Sequence, residues 1–600
     1  MRKLFVVLAA LCCFVLAQAV PARPGLVSYT QPDGSVLQIR IKGDEFFHWV
    51  TDASGRELEL GADGYYRPAS QLQLSARRAA GQMRRAAANS ARRAMPRKTA
   101  VASGVKRYLV VLVAFDTIDF KISTPQQAFS NLMNQEGYSA NGGTGSVRDY
   151  YHQNSYGQFT PVFDVVGPYQ VSKSASYYAG SSGTDNAEEA FYEACQLANG
   201  DVDFSQYDSD GDGIVDMAFF YYAGYNQAEG APNTIWPHQY SFQYTSYKNN
   251  TFDGKKLGSY TCSSELCGTE GVNMCGIGTA CHEFGHAMGL PDFYDTDYED
   301  NGQSAGMYFF STMDSGSYNN DGRTPPYFTI EERILLGWIN EDDAFREFSA
   351  SGTYTIETVD NNIAYRTLTD KEGEYFVYEC RGSNGWDAGL SGQGLVITHV
   401  DKSSRSVTIL NSSGNSVSTT AGELWSNWES SNSINENGSH PCCYVVPSSD
   451  QGNLLYGFKW YDGYGYYFQN SYAQKIPFPG SNNVSSFTAT SWNGVESSVR
   501  LSDISYSNNQ VTLYASVPSN TLSYNIIANP GNGSYAAGSS FSLELAQSDA
   551  QPVSSVAWYF DDEPVSASSV TLTAGTHVVE AHLTLTSGET KILELTITAQ

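Results

Sequence analysis

Residues 281–295 read CHEFGHAMGLPDFYD, and the organisation of the chain is best followed outward from them. In a helix, His282 and His286 are four apart and project from one face, so both imidazoles reach one tetrahedral zinc ion. Glu283, one position on, lies beside that ion rather than on it, where a carboxylate can accept a proton from water and pass it to a leaving amine. Gly289 can take the left-handed conformation that ends a helix, and Pro291 prevents its resumption. The chain then turns back so that Asp292 supplies a third ligand. Three protein ligands leave the fourth position open, as hydrolytic chemistry requires. The stretch therefore predicts zinc on His282, His286 and Asp292, with Glu283 as general base and acid. A C2H2 finger drawn from Cys262, Cys267, His282 and His286 falls just outside the usual spacing and leaves Glu283, Gly289 and Asp292 without a role.

Two further signals lie near this one. FFSTMDSGSY at 309–318 places Met313 in a turn of small residues, where it can floor a metal site or serve as ordinary core. Tyr318 can donate a hydrogen bond to a tetrahedral intermediate or pack at the surface. In DSDGDGIVD, Asp208, Asp210, Asp212 and Asp216 occupy positions 1, 3, 5 and 9 of an EF-hand-like loop with Gly213 at its sharp turn, so calcium is the expected ion. Position 12 is Phe219, which leaves such a site to be completed by another group. The acidic run Asp295, Asp297, Glu299 and Asp300 is a weaker candidate of the same kind.

Six hundred residues exceed what one core supports, since single cores stop growing near roughly 250–300 residues. Residues 1–19 read as a secretory signal, with Arg2 and Lys3 ahead of an apolar run and Ala17-Gln18-Ala19 as the cleavage site, so Val20 would begin the exported precursor. The apolar run is too short to span a bilayer, and a membrane is not required. Residues 20–75 form a small β-rich pro-segment, and residues 76–106, studded with paired basic residues among alanines, read as a cleavable linker, an amphipathic helix, or both in turn. An α/β domain is expected over 107–344, opening with the buried-strand run YLVVLVAF. A β-rich module follows at 345–518, and residues 519–600 carry strands spaced as in an immunoglobulin-like sandwich.

Net charge is −28, yet residues 1–107 hold 17 basic against 7 acidic residues, leaving 18 against 56 beyond them. Such acidity repels phosphate backbones and excludes nucleic acid as a partner. Eight cysteines remain after the signal, and export predicts at least one local disulfide among Cys262, Cys267, Cys275 and Cys281.

HEFGHAMGLPD, GTGSVRDYYHQNSYGQF at 143–159, VVGPY at 165–169 and STMDSGSY together resemble the M6 family of immune inhibitor A-type metallopeptidases. The resemblance implies a metzincin-like catalytic domain, with Met313 in the Met-turn beneath zinc and latency imposed by the N-terminal segment. No cysteine lies between Val20 and Cys195, so a pro-segment thiol cannot block the metal. Asp44, Glu45, His48 and Asp52 are the groups able to substitute. The expected protein is a multidomain, secreted zinc endopeptidase acting on extracellular proteins or peptides after cleavage by an activating protease. Its C-terminal modules are open to a glycan or cell-surface partner. The alternative is an adhesive protein with a vestigial metal site.

Overall fold

The computed structural model describes residues 19–93, 102–180, 186–297, 303–304, 306–410, 415–449, 451, 458–460, 466–468, 474–518, 523–529, 535–548, 552–567 and 569–600. Except for Ala19, the expected signal lies outside them, as do linker residues 94–101 and the acidic residues Glu299 and Asp300. The chain divides into two compact units, residues 1–516 and 517–600.

The first unit opens with a five-stranded antiparallel meander, β1 (Val27–Thr30) to β2 (Val36–Gly43), β3 (His48–Asp52), β4 (Glu57–Leu60) and β5 (Tyr66–Pro68). Helix α1 (Gln71–Arg93) follows. Most of the expected basic linker is thus helical, as its alanines, arginines and glutamines favour, and its basic residues fold back onto the meander. Arg77 donates to the His48 carbonyl at 3.2 Å, Arg84 to that of Phe46, and Arg85 to Asp44. Arg78 lies over the Phe47 and Trp49 rings.

The next sheet is built on YLVVLVAF. Its strands run β10 (Thr251–Phe252), β11 (Lys255–Ser264), β8 (Ile214–Tyr222), β6 (Gly104–Ala114) and β7 (Phe159–Gln170), with β9 (Gln239–Ser241) also pairing β11. Strands β6, β7, β8 and β11 are parallel, while β9 and β10 meet β11 antiparallel. Buried on both faces, β6 lacks polar alternation. Tyr108, Val110 and Leu112 enter one core with Phe284 and residues of α2 (Pro125–Asn134) and α3 (Val147–Asn154). Leu109, Val111 and Val113 enter another with Phe191 and Ala194. Helices therefore cover both faces. Helix α6 (Gly278–Met288), which carries the histidines, packs against β11.

The β-rich segment after residue 345 shares the first of these cores, through Tyr375, Val377, Val396, Val400, Trp425 and Cys443. It contains two main sheets, ordered 345–347, 364–368, 374–381, 394–401, 443–446 and 352–357, 510–516, 496–507, 487–490. The second unit holds a three-stranded and a four-stranded sheet. Phe541 and Leu543 of the former share a core with Val579 and Ile597 of the latter. The eight described cysteines are all free thiols and all buried. The expected local disulfide is therefore not formed; Cys262, Cys275 and Cys281 sit in the cores as small apolar groups.

Candidate metal centre and cleft

Helix α6 ends as its sequence dictates. Gly289 sits at φ 114°, and the amides of Gly289 and Leu290 both reach the Gly285 carbonyl at 3.0 Å. This reversal returns Asp292 to the open face of the two histidines. Nε2 of His282 and Nε2 of His286 lie 3.1 Å apart, and Asp292 Oδ1 lies 3.2 Å from each. Zinc bonds of roughly 2.0–2.1 Å in a tetrahedron separate ligand atoms by about 3.3 Å, so the triangle has the size such an ion requires. All three side chains are buried.

The hydrogen bonds behind the triangle settle which atoms face inward. His282 Nδ1 donates to the Thr312 carbonyl and His286 Nδ1 to the Leu290 carbonyl, each at 2.8 Å. Both Nε2 atoms are thus left as bare acceptors facing a carboxylate oxygen that has no hydrogen-bond donor. Three converging lone pairs repel one another unless a cation lies between them, so these residues fit a bound divalent metal. Burial lowers the His282 imidazole below its ordinary value, which favours the neutral form.

Two supports come from sequence far away. Met313 packs beneath α6, close enough that a Cβ on Gly285 would lie 2.6 Å from its Sδ. Asn432 clamps Asp292 from both ends: its Nδ2 donates to Asp292 Oδ2 at 2.5 Å, and its Oδ1 accepts the Asp292 amide at 2.9 Å. Arg381, fully buried, forks onto Asp387 at 2.7 and 2.8 Å and donates to the carbonyls of Phe310 and Tyr327. The β-rich segment thereby holds both Asp292 and the turn bearing Met313. Neither Asn432 nor Arg381 carries a local motif that reveals it.

The cleft beside the triangle contains the chain's own N-terminal stretch. The Val20 amide donates to Glu283 Oε1 at 2.8 Å. Tyr294 donates to the Ala19 carbonyl at 2.8 Å, Trp236 Nε1 to that of Val20 at 3.1 Å, and Tyr318 to that of Pro21 at 2.7 Å. The Arg23 amide meets the Ala228 carbonyl at 2.9 Å. Ala19 and Val20 are fully buried against Ile41, Ala228 and Trp236. Burial raises the Glu283 carboxyl well above its usual range, with Asp292 and Glu45 adding to the effect. Of Asp44, Glu45, His48 and Asp52, Asp44 pairs with Arg85, Asp52 with Arg56, and His48 stacks on Trp236. Glu45 lies within electrostatic reach of both Asp292 and Glu283. Tyr318 is in the cleft, engaged with Pro21.

In the acidic loop, Asp208, Asp210 and Asp216 bring carboxylates within 4.8 Å of one another. Asp212 stands outside that group and caps the Ile214 amide at 2.9 Å. Asp208 already receives Lys255 Nζ at 2.7 Å. No helix among the described residues is long and apolar enough to cross a membrane.

Residues 118–331 match the family model of the immune inhibitor A peptidase M6 catalytic domain. Among curated proteins, the pre-pro-metalloprotease PrtV of Vibrio cholerae is 27% identical over 304 residues, covering 42% of this chain and 32% of that protein. Immune inhibitor A of Bacillus thuringiensis subsp. alesti is 24% identical over 299 residues, covering 40% of this chain and 42% of that protein. The chain thus spans only about a third to two-fifths of the curated relatives it matches. A solved structure of OgpA from Akkermansia muciniphila aligns over 84% of this chain and 94% of that one at 9% identity, with a TM-score of 0.21, too low to constrain fold or function. Matched stretch and metal triangle coincide, and the domain over residues 118–331 belongs to the M6 family of metallopeptidases.

Proposed function

We propose that the chain is the precursor of a secreted zinc endopeptidase that hydrolyses peptide bonds of extracellular proteins. The observation that carries this reading is the buried triangle of His282, His286 and Asp292 with Glu283 beside it. Zinc, when bound there, supplies Lewis acidity toward the scissile carbonyl and makes water acidic enough to attack at neutral pH. Glu283 takes the proton from the attacking water and delivers it to the leaving nitrogen. Val20 supports that second role, since its backbone nitrogen already stands 2.8 Å from Glu283 Oε1, at the place of a leaving amine. His282 and His286 are held in one tautomer by the Thr312 and Leu290 carbonyls. Met313 serves as the Met-turn floor of a metzincin-like domain, and Tyr318 is available to the tetrahedral intermediate once Pro21 departs.

Latency follows from the same contacts. Residues 19–23 fill the cleft, and a signal ending at Ala19 would leave the Val20 amine against Glu283, so substrate enters only after the N-terminal segment is released. An activating protease cutting the basic stretch at 76–106 would permit that release. The remaining parts of the reading are a calcium ion at Asp208, Asp210 and Asp216, an immunoglobulin-like sandwich over 519–600, and C-terminal modules that engage glycan or cell surface. Casein hydrolysis by the purified precursor before and after limited trypsin treatment tests the proposal. Activity should appear only after trimming and vanish with chelator or with Glu283→Ala. Trimmed, zinc-loaded protein that stays inert on casein and varied peptides overturns it.

A further inference from the structure

We propose that Glu229 and Asp321 form an acidic subsite that selects a cationic side chain, Arg or Lys, at the fourth residue on the leaving-group side of the scissile bond. The inference rests on the peptidase reading above and fixes part of its specificity. Val20 sets the register, because its nitrogen stands against Glu283 where a leaving nitrogen belongs. Pro21, Ala22 and Arg23 then occupy the second, third and fourth leaving-side positions. Between Val20 and Arg23 the cleft holds this stretch by its backbone, through Trp236, Tyr318 and the Ala228 carbonyl. Such contacts accept any sequence, so discrimination falls to the side chains. Val20 is buried against Ala228 and Trp236, and Arg23 reaches Glu229 at 3.0 Å and Asp321 at 2.5 Å.

Glu229 is the stronger arm. Its side chain is 9% exposed, against 52% for Asp321. Its position is fixed without Arg23: the Glu229 amide donates to Asn226 Oδ1 at 2.9 Å, and the Gly268 amide donates to Glu229 Oε2 at 2.6 Å. Among the described residues, Arg23 is the only cation in ion-pair contact with it. When the N-terminal segment leaves, this preformed carboxylate loses its counter-charge, and an incoming cation restores the charge-assisted contact. Asp321 keeps a longer contact to Arg323 at 3.5 Å and completes the outer side of the subsite.

The test uses trypsin-trimmed, zinc-loaded enzyme and fluorogenic peptides carrying Val-Pro-Ala after the cleaved bond, identical except for Arg, Lys, Ala or Glu next. Arg and Lys peptides should exceed the Ala peptide in kcat/KM by about 10- to 100-fold, the range of charge-assisted hydrogen bonds, with Glu slowest. Asp321→Lys should narrow or invert the order, and Glu229→Gln should flatten it. Asp321 is half-exposed, so its variant remains informative if loss of the Gly268 contact keeps the Glu229 variant from folding. Equal rates for all four peptides in the unaltered enzyme overturn the subsite and leave the peptidase reading standing. Failure to cleave casein or any peptide removes both.

Discussion

Gly285→Ala is the sharpest probe of how α6 and the Met313 turn build the metal site. In an open helix the change would stabilise by about 1 kcal/mol, because glycine costs that much relative to alanine. Here the new Cβ meets Met313 Sδ at 2.6 Å, Met313 Cε at 3.3 Å and Leu290 Cδ1 at 3.5 Å. Ordinary contact lies near 3.5–4.0 Å, so the sulfur must retreat by about 1 Å. Met313 is fully buried, and forcing extra volume into such a core costs about 1–3 kcal/mol. The two effects leave a net loss of about 0–2 kcal/mol. Movement of Met313 also drags the neighbouring Thr312 carbonyl, which orients His282. Disturbing such a support weakens metal binding by about 10- to 100-fold. Met313→Ala alone should cost about 2–5 kcal/mol, yet in the double variant the overlap disappears. A double-mutant cycle by denaturant unfolding of the metal-free chain should therefore show coupling of about 1–3 kcal/mol, and chelator competition should show weaker zinc binding by Gly285→Ala. Additivity within about 0.5 kcal/mol, together with unchanged zinc affinity, would refute the packing argument.

Two other expectations follow from buried or paired charges. Asp387→Ala should destabilise the first unit by about 3–5 kcal/mol, because it strands the fully buried Arg381 guanidinium; denaturant unfolding no different from the parent would contradict this. In the second unit, the hydrogen bond from His577 Nδ1 to Asp561 Oδ2 at 2.6 Å raises the imidazole and lowers the carboxyl from their ordinary values. The raised His577 stabilises below its unfolded value near 6.5 and loses that contribution as pH climbs through the folded value; the depressed Asp561 stabilises above about 3.8 and loses it as pH falls. Amide exchange across residues 575–585 of the full chain, corrected for intrinsic rates, should therefore be slower at pH 5.5 than at pH 8.5, and Asp561→Asn should erase the difference.

What the sequence by itself determined is local. A four-residue spacing puts His282 and His286 on one helical face, Gly289 and Pro291 force the reversal, and the apolar run 108–115 demands a strand covered on both sides. Each follows from backbone geometry and residue chemistry within a dozen positions. Asp208, Asp210 and Asp216 also lie close in sequence and converge, whereas Asp212, in the same pattern, turns to cap the Ile214 amide because a nearby donor satisfies it. The basic, alanine-rich stretch 76–106 reads as a cleavable linker, an amphipathic helix, or both in turn; the part up to Arg93 is helical and docks onto the meander through Arg84 and Arg85. Tertiary structure alone decided the rest. Asn432 reaches Asp292 across 140 residues of chain, Arg381 braces the turn bearing Met313, the cysteines of 262–281 are buried free thiols, and Val20 comes to Glu283 across 263 residues. No spacing rule foretells such meetings, because they depend on how separately formed sheets and helices bury their apolar faces against one another, and on which polar groups are then left facing.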